Sequence, residues 1–253
     1  MTDLRIVSRP DVREELARMR TKDLNFEPDR DGPFTPQNGW RIDHYRRQLP
    51  LEAPGAPTSG GSWEVATELS EAYEFVDPIL VCAFYDPNEP LEGRTLLLRV
   101  HFWGLRIYAG VRVAAVSDEV RQIEGRQARV SSWNYRTLEN HFEAGQIDYE
   151  LWKWLDSGEV EFRIDAFSRP EWIPQPIVRW GFRLFGRGRQ TRFARDACDR
   201  MEALTRARLQ GAPAVPPARL IADDLAVSPQ GCTETKVERL ARNVRSHVPS
   251  ARG

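Results

Sequence analysis

The sequence predicts an α+β protein, an antiparallel meander of about seven strands with its dry face covered by one long C-terminal helix. Three observations point there. Between Arg126 and Pro170, the runs RQARVSSWNYRTL, QIDYELWKWL and EVEFRIDAFS alternate: Val160, Phe162, Ile164 and Ala166 fall on one face, and Glu159, Glu161, Arg163 and Asp165 on the other, as in a sheet with one dry and one wet side. The joint Asp156-Ser157-Gly158 and the pair Glu124-Gly125 carry hairpin chemistry. After Arg169-Pro170 the period becomes helical from roughly Pro176 to Gln210. It is the only long amphipathic element left, and a meander cannot bury its apolar face without such a partner.

Taken in order, residues 10–20 predict a short charged helix. The prolines and glycines from Pro28 to Pro54 predict an irregular arm over the surface. Within it, Trp40, Ile42 and His44 alternate as in a first or edge strand, and LEAPGAPTSGG reads as a loop. Ser62 is placed as an N-cap, with Trp63, Ala66, Leu69, Tyr73 and Val76 recurring at helical spacing. A second short helix is expected from Asp77-Pro78 to Tyr85, ended by DPNEP. RTLLLRVHF and LRIYAGVRVAAV follow as strands about a hairpin at Trp103-Gly104, with Leu105, Ile107, Ala109, Val111 and Val113 on one face and Arg106, Tyr108 and Arg112 opposite. EVRQI and RQARV flank Glu124-Gly125. In the last helix Phe193, Ala197, Met201 and Leu204 form one stripe, Arg179, Arg183 and Arg187 mark another face, and Gly186 and Gly188 weaken it. The order expected is strand, helix, helix, six strands, long helix. Residues 1–61 then form an N-terminal helix and arm with the first strand, 62–210 the main domain, and 211–253 a flexible tail holding one short charged helix in TKVERLARNVRS.

Composition sets limits on function. With 253 residues, 41% of them hydrophobic, the chain can bury roughly 70–75% of its unfolded surface without a metal or disulfide. Thirty-six Lys and Arg against 37 Asp and Glu give no overall basic field for nucleic acid. Cys82, Cys198 and Cys232 are odd in number and far apart, and read as free thiols in a reducing compartment. The charged start MTDLRIVSRPDVREELARMR and the lack of 18 apolar residues in a row predict a cytoplasmic chain with no membrane span. No P-loop, dinucleotide-binding glycine fingerprint, His-Glu-x-x-His or G-x-S-x-G elbow is present, so no cofactor and no metal is expected. Nothing in the sequence sets the oligomeric state.

Tyr135-Arg136-Thr137-Leu138, His141, Glu143, Gly145 and above all Ala166-Phe167-Ser168-Arg169-Pro170 before an arginine-rich helix resemble the family called domain of unknown function nineteen-ninety, over roughly Trp63 to Leu204. The resemblance implies a START-like, or helix-grip, fold in which a curved antiparallel sheet wraps a long C-terminal helix around an internal cavity. It implies no activity, since the family has none established. The chain departs from the family's usual form at Arg136, where glycine is common, at Glu139-Asn140 in place of proline-glycine, at Phe142 in place of proline, and at Gln146-Ile147 in place of paired acids.

Several side chains are candidates for chemistry. His141 and Glu143, in the loop ENHFEAG at the expected cavity mouth, have the types of a general acid/base pair; two such residues are also common in polar hairpin loops. Arg136 suits a carboxylate if it points inward and is an ordinary solvated arginine if it does not. Ser168 continues the apolar face and either lines the cavity or bonds local backbone ahead of Pro170. Tyr135, Thr137 and Tyr108 complete the candidate ligand contacts. Trp152 and Trp154 face opposite to Tyr149 and Leu151, and with Trp133, Trp103 and Trp180 they either line a pocket or cover the core. The helix arginines near Trp180, Phe182 and Phe185 suit a phosphate or membrane surface, or form a solvated face. Three functions follow. The first is a binder of a small hydrophobic molecule between sheet and helix. The second is a cyclase, dehydratase or hydrolase in the same cavity. The third is an interaction module whose cavity is filled, acting through the arm from Phe26 to Pro57 or the basic helix.

Overall fold

The alternation between Arg126 and Pro170 builds the centre of a nine-stranded antiparallel sheet in the order β1-β7-β6-β5-β4-β3-β2-β9-β8. The structure, a computed structural model, describes residues 11–102, 105–171, 176–214 and 218–232, with the backbone alone for 102, 105 and 176–190. The strands are β1 (Arg41–Leu49), β2 (Val81–Tyr85), β3 (Thr95–Phe102), β4 (Leu105–Ile123), β5 (Arg126–Thr137), β6 (Glu143–Trp154), β7 (Val160–Pro170), β8 (Arg219–Ala222) and β9 (Leu225–Ser228). The helices are α1 (Val12–Arg20), the single turn α2 (Pro28–Asp31), α3 (Ser62–Glu71) and α4 (Pro176–Leu209). The sheet is curved and does not close on itself. No described helix is long and apolar enough to cross a membrane.

The inner face carries the main core. Val111 and Val113 of β4, Trp133 and Tyr135 of β5, Tyr149 and Leu151 of β6 and Val160, Phe162 and Ile164 of β7 meet Trp63, Ala66 and Leu69 of α3 and Ala194, Ala197, Cys198 and Met201 of α4. Phe193 and Leu204 pack at the edge of this cluster, partly buried. The outer face has separate covers. Val12, Leu16 and Met19 of α1 lie over Cys82, Phe84, Leu97 and Val227. In the arm, Phe26, Phe34 and Trp40 close over Phe167 of β7, the Phe34 and Phe167 rings stacked 3.9 Å apart. That contact puts Ile42 under cover and leaves His44, farther along the edge strand, exposed. Residues 24–26 also tie the arm to β5: the Asn25 amide N–H donates to the Thr137 carbonyl, and Leu24 bridges Leu138.

Five expectations are corrected. The segment expected as a second helix up to Tyr85 is instead a turn and then β2, with all five of its residues buried. Lying between β3 and β9, under the core on one face and α1 on the other, it needs apolar residues at every position, a pattern shared with a buried helix. LRIYAGVRVAAV and EVRQI are one 19-residue strand, β4, bulged between Val113 and Ala115. Ser62 is the first helical residue rather than the cap; the cap is Gly61. The Glu52 carboxylate accepts from the Trp63 N–H at 2.7 Å and the Thr58 N–H at 2.9 Å, serving the helix start from outside. The stretch from 211 onward, expected as a flexible tail, contributes β8 and β9, which extend the sheet beside β2. Lastly, Cys82 and Cys232 are joined in a disulfide, Cα to Cα 6.0 Å, leaving Cys198 free and buried; the inference of a reducing compartment loses its basis at those two thiols. The hairpin residues Trp103 and Gly104 and the charged helix TKVERLARNVRS lie outside the described residues.

Candidate functional site

The concave face of the sheet and α4 leave a cavity of about 170 Å³ between them. Its walls are mostly apolar: Leu98 and Val100 from β3, Ile147 from β6, Ile164 and Ala166 from β7, and Phe193 from α4. Register fixes the depth of each polar group. On β5 and β6, Thr137 and Gly145 sit at the hairpin end. Tyr135 lies opposite Ile147 one step deeper, and Trp133 opposite Tyr149 a step beyond. Gly145 is required where it stands, because a Cβ there would come within 2.1 Å of the Phe167 carbonyl oxygen.

Three phenols converge at the deep end. The Tyr149 hydroxyl donates to the Tyr135 hydroxyl across 3.4 Å, and the rings of Tyr73, Trp133, Tyr135 and Tyr149 pack with centroids 4.8–6.5 Å apart. The Tyr73 hydroxyl is buried and close enough to feel the other two, yet it completes no hydrogen bond of normal geometry. Burial pushes all three phenols above their ordinary range, so they stay protonated. Tyr73 and Tyr135 line the cavity, and Tyr149 stands behind them. Beyond the three, the Trp133 indole N–H donates to Ser70 Oγ at 2.9 Å, so its polar atom is closed against α3.

Tyr73 reaches this place by an uncommon route. The end of α3 is a Schellman motif, with the Glu74 N–H donating to the Leu69 carbonyl at 2.9 Å and the Tyr73 N–H to the Ser70 carbonyl at 3.0 Å. The left-handed position of that motif usually holds glycine. Here it holds Tyr73 at φ 59°.

At the shallow end, His141 is a buried ring rather than an open loop side chain, 8% exposed and lining the cavity. Its Nδ1 accepts the Glu143 N–H at 3.0 Å, which puts the ring proton on Nε2. Burial drives its pKa down to about 4. His141 and Glu143 are therefore joined through backbone, not carboxylate to imidazole. The Glu143 carboxylate lies 4.0 Å from Arg41. Thr137 lines the cavity, but its hydroxyl accepts from the Gly145 N–H at 2.8 Å and donates to Asn25 Oδ1 at 2.6 Å, tying strand to arm. Ser168 lines the cavity opposite Gly145. Arg136 and Tyr108 do not reach it. Strand parity turns Arg136 outward, where its Nε donates to Gln146 Oε1 at 2.7 Å, and sets Tyr108 on the face packed by α1.

Of the candidate site residues the sequence singles out, Tyr135, Thr137, Ser168, His141 and Glu143 line one cavity; Tyr73, on its wall, and Tyr149, behind it, are not among them. Parity with Leu151 was a usable signal for Tyr149. For Tyr73 no signal existed, since its helical spacing from Leu69 conceals that the helix has already ended. Trp152 and Trp154 lie on the outer face. The side chains of Arg179, Trp180, Phe182, Arg183, Phe185 and Arg187 lie outside the described residues. Among the described residues no cluster of three or more His, Cys, Asp or Glu is arranged to hold a metal.

Solved structures similar to this one include Ara h 8.0201, at TM-score 0.38 and 7% identity over 67% of this chain and 99% of that one. A norcoclaurine synthase point mutant from Thalictrum flavum, in complex with a transition-state analogue, gives TM-score 0.38 and 8% identity over 67% of this chain and 96% of that one. A START superfamily protein from Mycobacterium smegmatis gives TM-score 0.35 and 16% identity over 64% of this chain and 98% of that one. No curated protein matches the sequence. Residues 25–200, which contain every cavity-lining position from Asp43 to Ala194, match the family described as Domain of unknown function (DUF1990), and the chain belongs to that family.

Proposed function

We propose that the protein binds a small, mainly hydrophobic molecule in the cavity between the inner face of the sheet and α4. One observation carries this: the core is left open over about 170 Å³ against apolar walls, where close packing is the rule for protein interiors. A dry apolar void of roughly 150 Å³ is enough to take up benzene in another protein, so the size suits one or two fused rings or a short branched chain. The few polar groups on the walls are of the kind that orient a ligand in an apolar site.

Acid/base catalysis has less support. An imidazole whose pKa is held down to about 4 is neutral at pH 7 and a weak base, and its Nδ1 is already taken by the Glu143 N–H. Native mass spectrometry of the purified protein, followed by organic extraction, tests the binding reading. The expected result is an apolar compound at near one-to-one occupancy, or, for protein that arrives empty, a rise in melting temperature with apolar molecules of bicyclic size. Empty protein that gains no stability from any of them would overturn it.

A further inference from the structure

Resting on that reading, we infer that the ligand class is a neutral molecule with a hydrogen-bond-accepting oxygen, a ketone or similar carbonyl, received by the hydroxyls of Tyr73 and Tyr135. The argument begins with a deficit. A buried hydroxyl that completes no hydrogen bond is destabilising, and Tyr73 Oη is one, set beside empty space. The same residue occupies a left-handed backbone position at φ 59°, where a side chain is disfavoured relative to glycine. Phenylalanine would fill the same apolar volume without the orphan oxygen. The hydroxyl at this position is best accounted for by a partner that arrives from the cavity.

The chemistry of that partner follows from what the phenols offer. Tyr149 spends its proton on Tyr135, so the proton of Tyr135 can point onward, and the Tyr73 hydroxyl, within reach of both neighbours, completes no hydrogen bond of normal geometry with either. Two donors then face one void, and they call for an acceptor; an ammonium ion has none to give. The Tyr149 to Tyr135 bond also polarises the second hydroxyl, which strengthens the donor at the cavity. Charge decides between acceptors. No Lys or Arg stands among the described lining residues, and two carboxyl side chains do, Asp43 and Glu143. Against those described walls, a carboxylate or phosphate would be stripped of water without a countercharge. A carbonyl loses far less on entry and gains two hydrogen bonds.

Isothermal titration with three bicyclic probes of similar size tests this: α-tetralone with a ketone, tetralin without oxygen, and α-naphthoate with a carboxylate. The expected order is α-tetralone about tenfold tighter than tetralin, from two net hydrogen bonds at a discount for carbonyl desolvation, with α-naphthoate weakest. Tyr73→Phe and Tyr135→Phe should each weaken α-tetralone several-fold and leave tetralin unchanged; tetralin also reports that each variant is folded. If α-tetralone and tetralin bind alike and neither variant separates them, or if α-naphthoate binds tightest, the ligand class is wrong while the binding cavity stands. If none of the three binds, the cavity reading falls, and this inference with it.

Discussion

Two aromatic clusters lie back to back across the same strands, and they differ in how their polar atoms are closed. On the outer face, Trp152 and Trp154 of β6 are held in a lattice of charge. The Trp152 indole donates to Glu150 at 2.7 Å and the Trp154 indole to Glu161 at 3.0 Å. The Arg163 guanidinium lies 3.9 Å from the Trp152 ring centroid, Arg126 4.2 Å from that of Trp154, and Arg163 pairs with Glu161 at 2.8 Å. On the inner face, Tyr73, Tyr135 and Tyr149 share one long hydrogen bond and leave a hydroxyl over beside a void. Both clusters are aromatic and buried. Aromatic burial is therefore common to both; incomplete hydrogen bonding next to empty space is what sets the inner cluster apart.

The contrast can be broken first at the inner face's own closed pair. Lys153 points inward between the two outward tryptophans, fully buried, with its ammonium 2.9 Å from Glu52 and 2.9 Å from the Ala53 carbonyl. Glu52 in turn serves the start of α3. Glu52→Gln leaves a buried cation without its counter-ion, and the expected loss is about 3–5 kcal/mol in urea unfolding. Replacing both partners by apolar residues, Glu52→Leu with Lys153→Met, should recover most of it. A single-variant loss under about 1 kcal/mol would show that the pair is not closed against water, and that inner polar groups in general are less committed than the contrast requires.

A second test separates the faces by pH. Inner His141 has its pKa lowered from 6.5 to about 4, first by burial; the unfolded chain therefore binds more protons between pH 4 and 6.5, and stability rises with pH across that window by about 3 kcal/mol. Outer Asp148, raised by burial from 3.8 to about 6 while Gln146 donates to it at 2.8 Å, acts in reverse. There the folded state binds more protons, so stability falls with rising pH over nearly the same window, by roughly 2 kcal/mol after allowance for its partial exposure. The two slopes oppose. His141→Gln should leave a net fall in the urea midpoint from pH 4 to 6.5 relative to the wild type, and Asp148→Asn a steeper rise. Identical slopes in all three proteins would show that neither group is buried as described.

How far each face was legible in the sequence follows from the range of the interactions. Alternation of period two is local, so β5, β6 and β7, their inward residues and the outward set of Trp152 and Trp154 could be read directly. β2 could not, because a strand covered on both faces loses its alternation, and VCAFY reads equally as helix. β8 and β9 are four residues each, too short for a period to register after a proline-rich stretch. Pairings across the chain leave no local trace: Glu52 with Lys153, Cys82 with Cys232 and Tyr73 with Tyr135 are separated by long stretches of sequence and meet only through the fold. Of the candidate site, the strand-borne part was legible, and the part delivered by the end of α3 was not.

The smallest effect is the sharpest comparison, because the two faces should answer with opposite signs. Trp152→Phe removes a satisfied indole N–H, leaves the Glu150 oxygen short of a donor and offers Arg163 a weaker ring; the expected change is a loss of about 1–2 kcal/mol. Tyr73→Phe removes a hydroxyl that completes no hydrogen bond of normal geometry in the empty protein, so the empty protein should become more stable, by about 1 kcal/mol. Both keep an aromatic ring at a buried position, the smaller ring at residue 152 also leaving a void, and both are measured by the same urea titration on ligand-free protein. A stabilised Tyr73→Phe that also loses its preference for α-tetralone would show stability given up at one atom for binding. A destabilised Tyr73→Phe would mean the hydroxyl is already satisfied within the core, and the two clusters would then be closed alike.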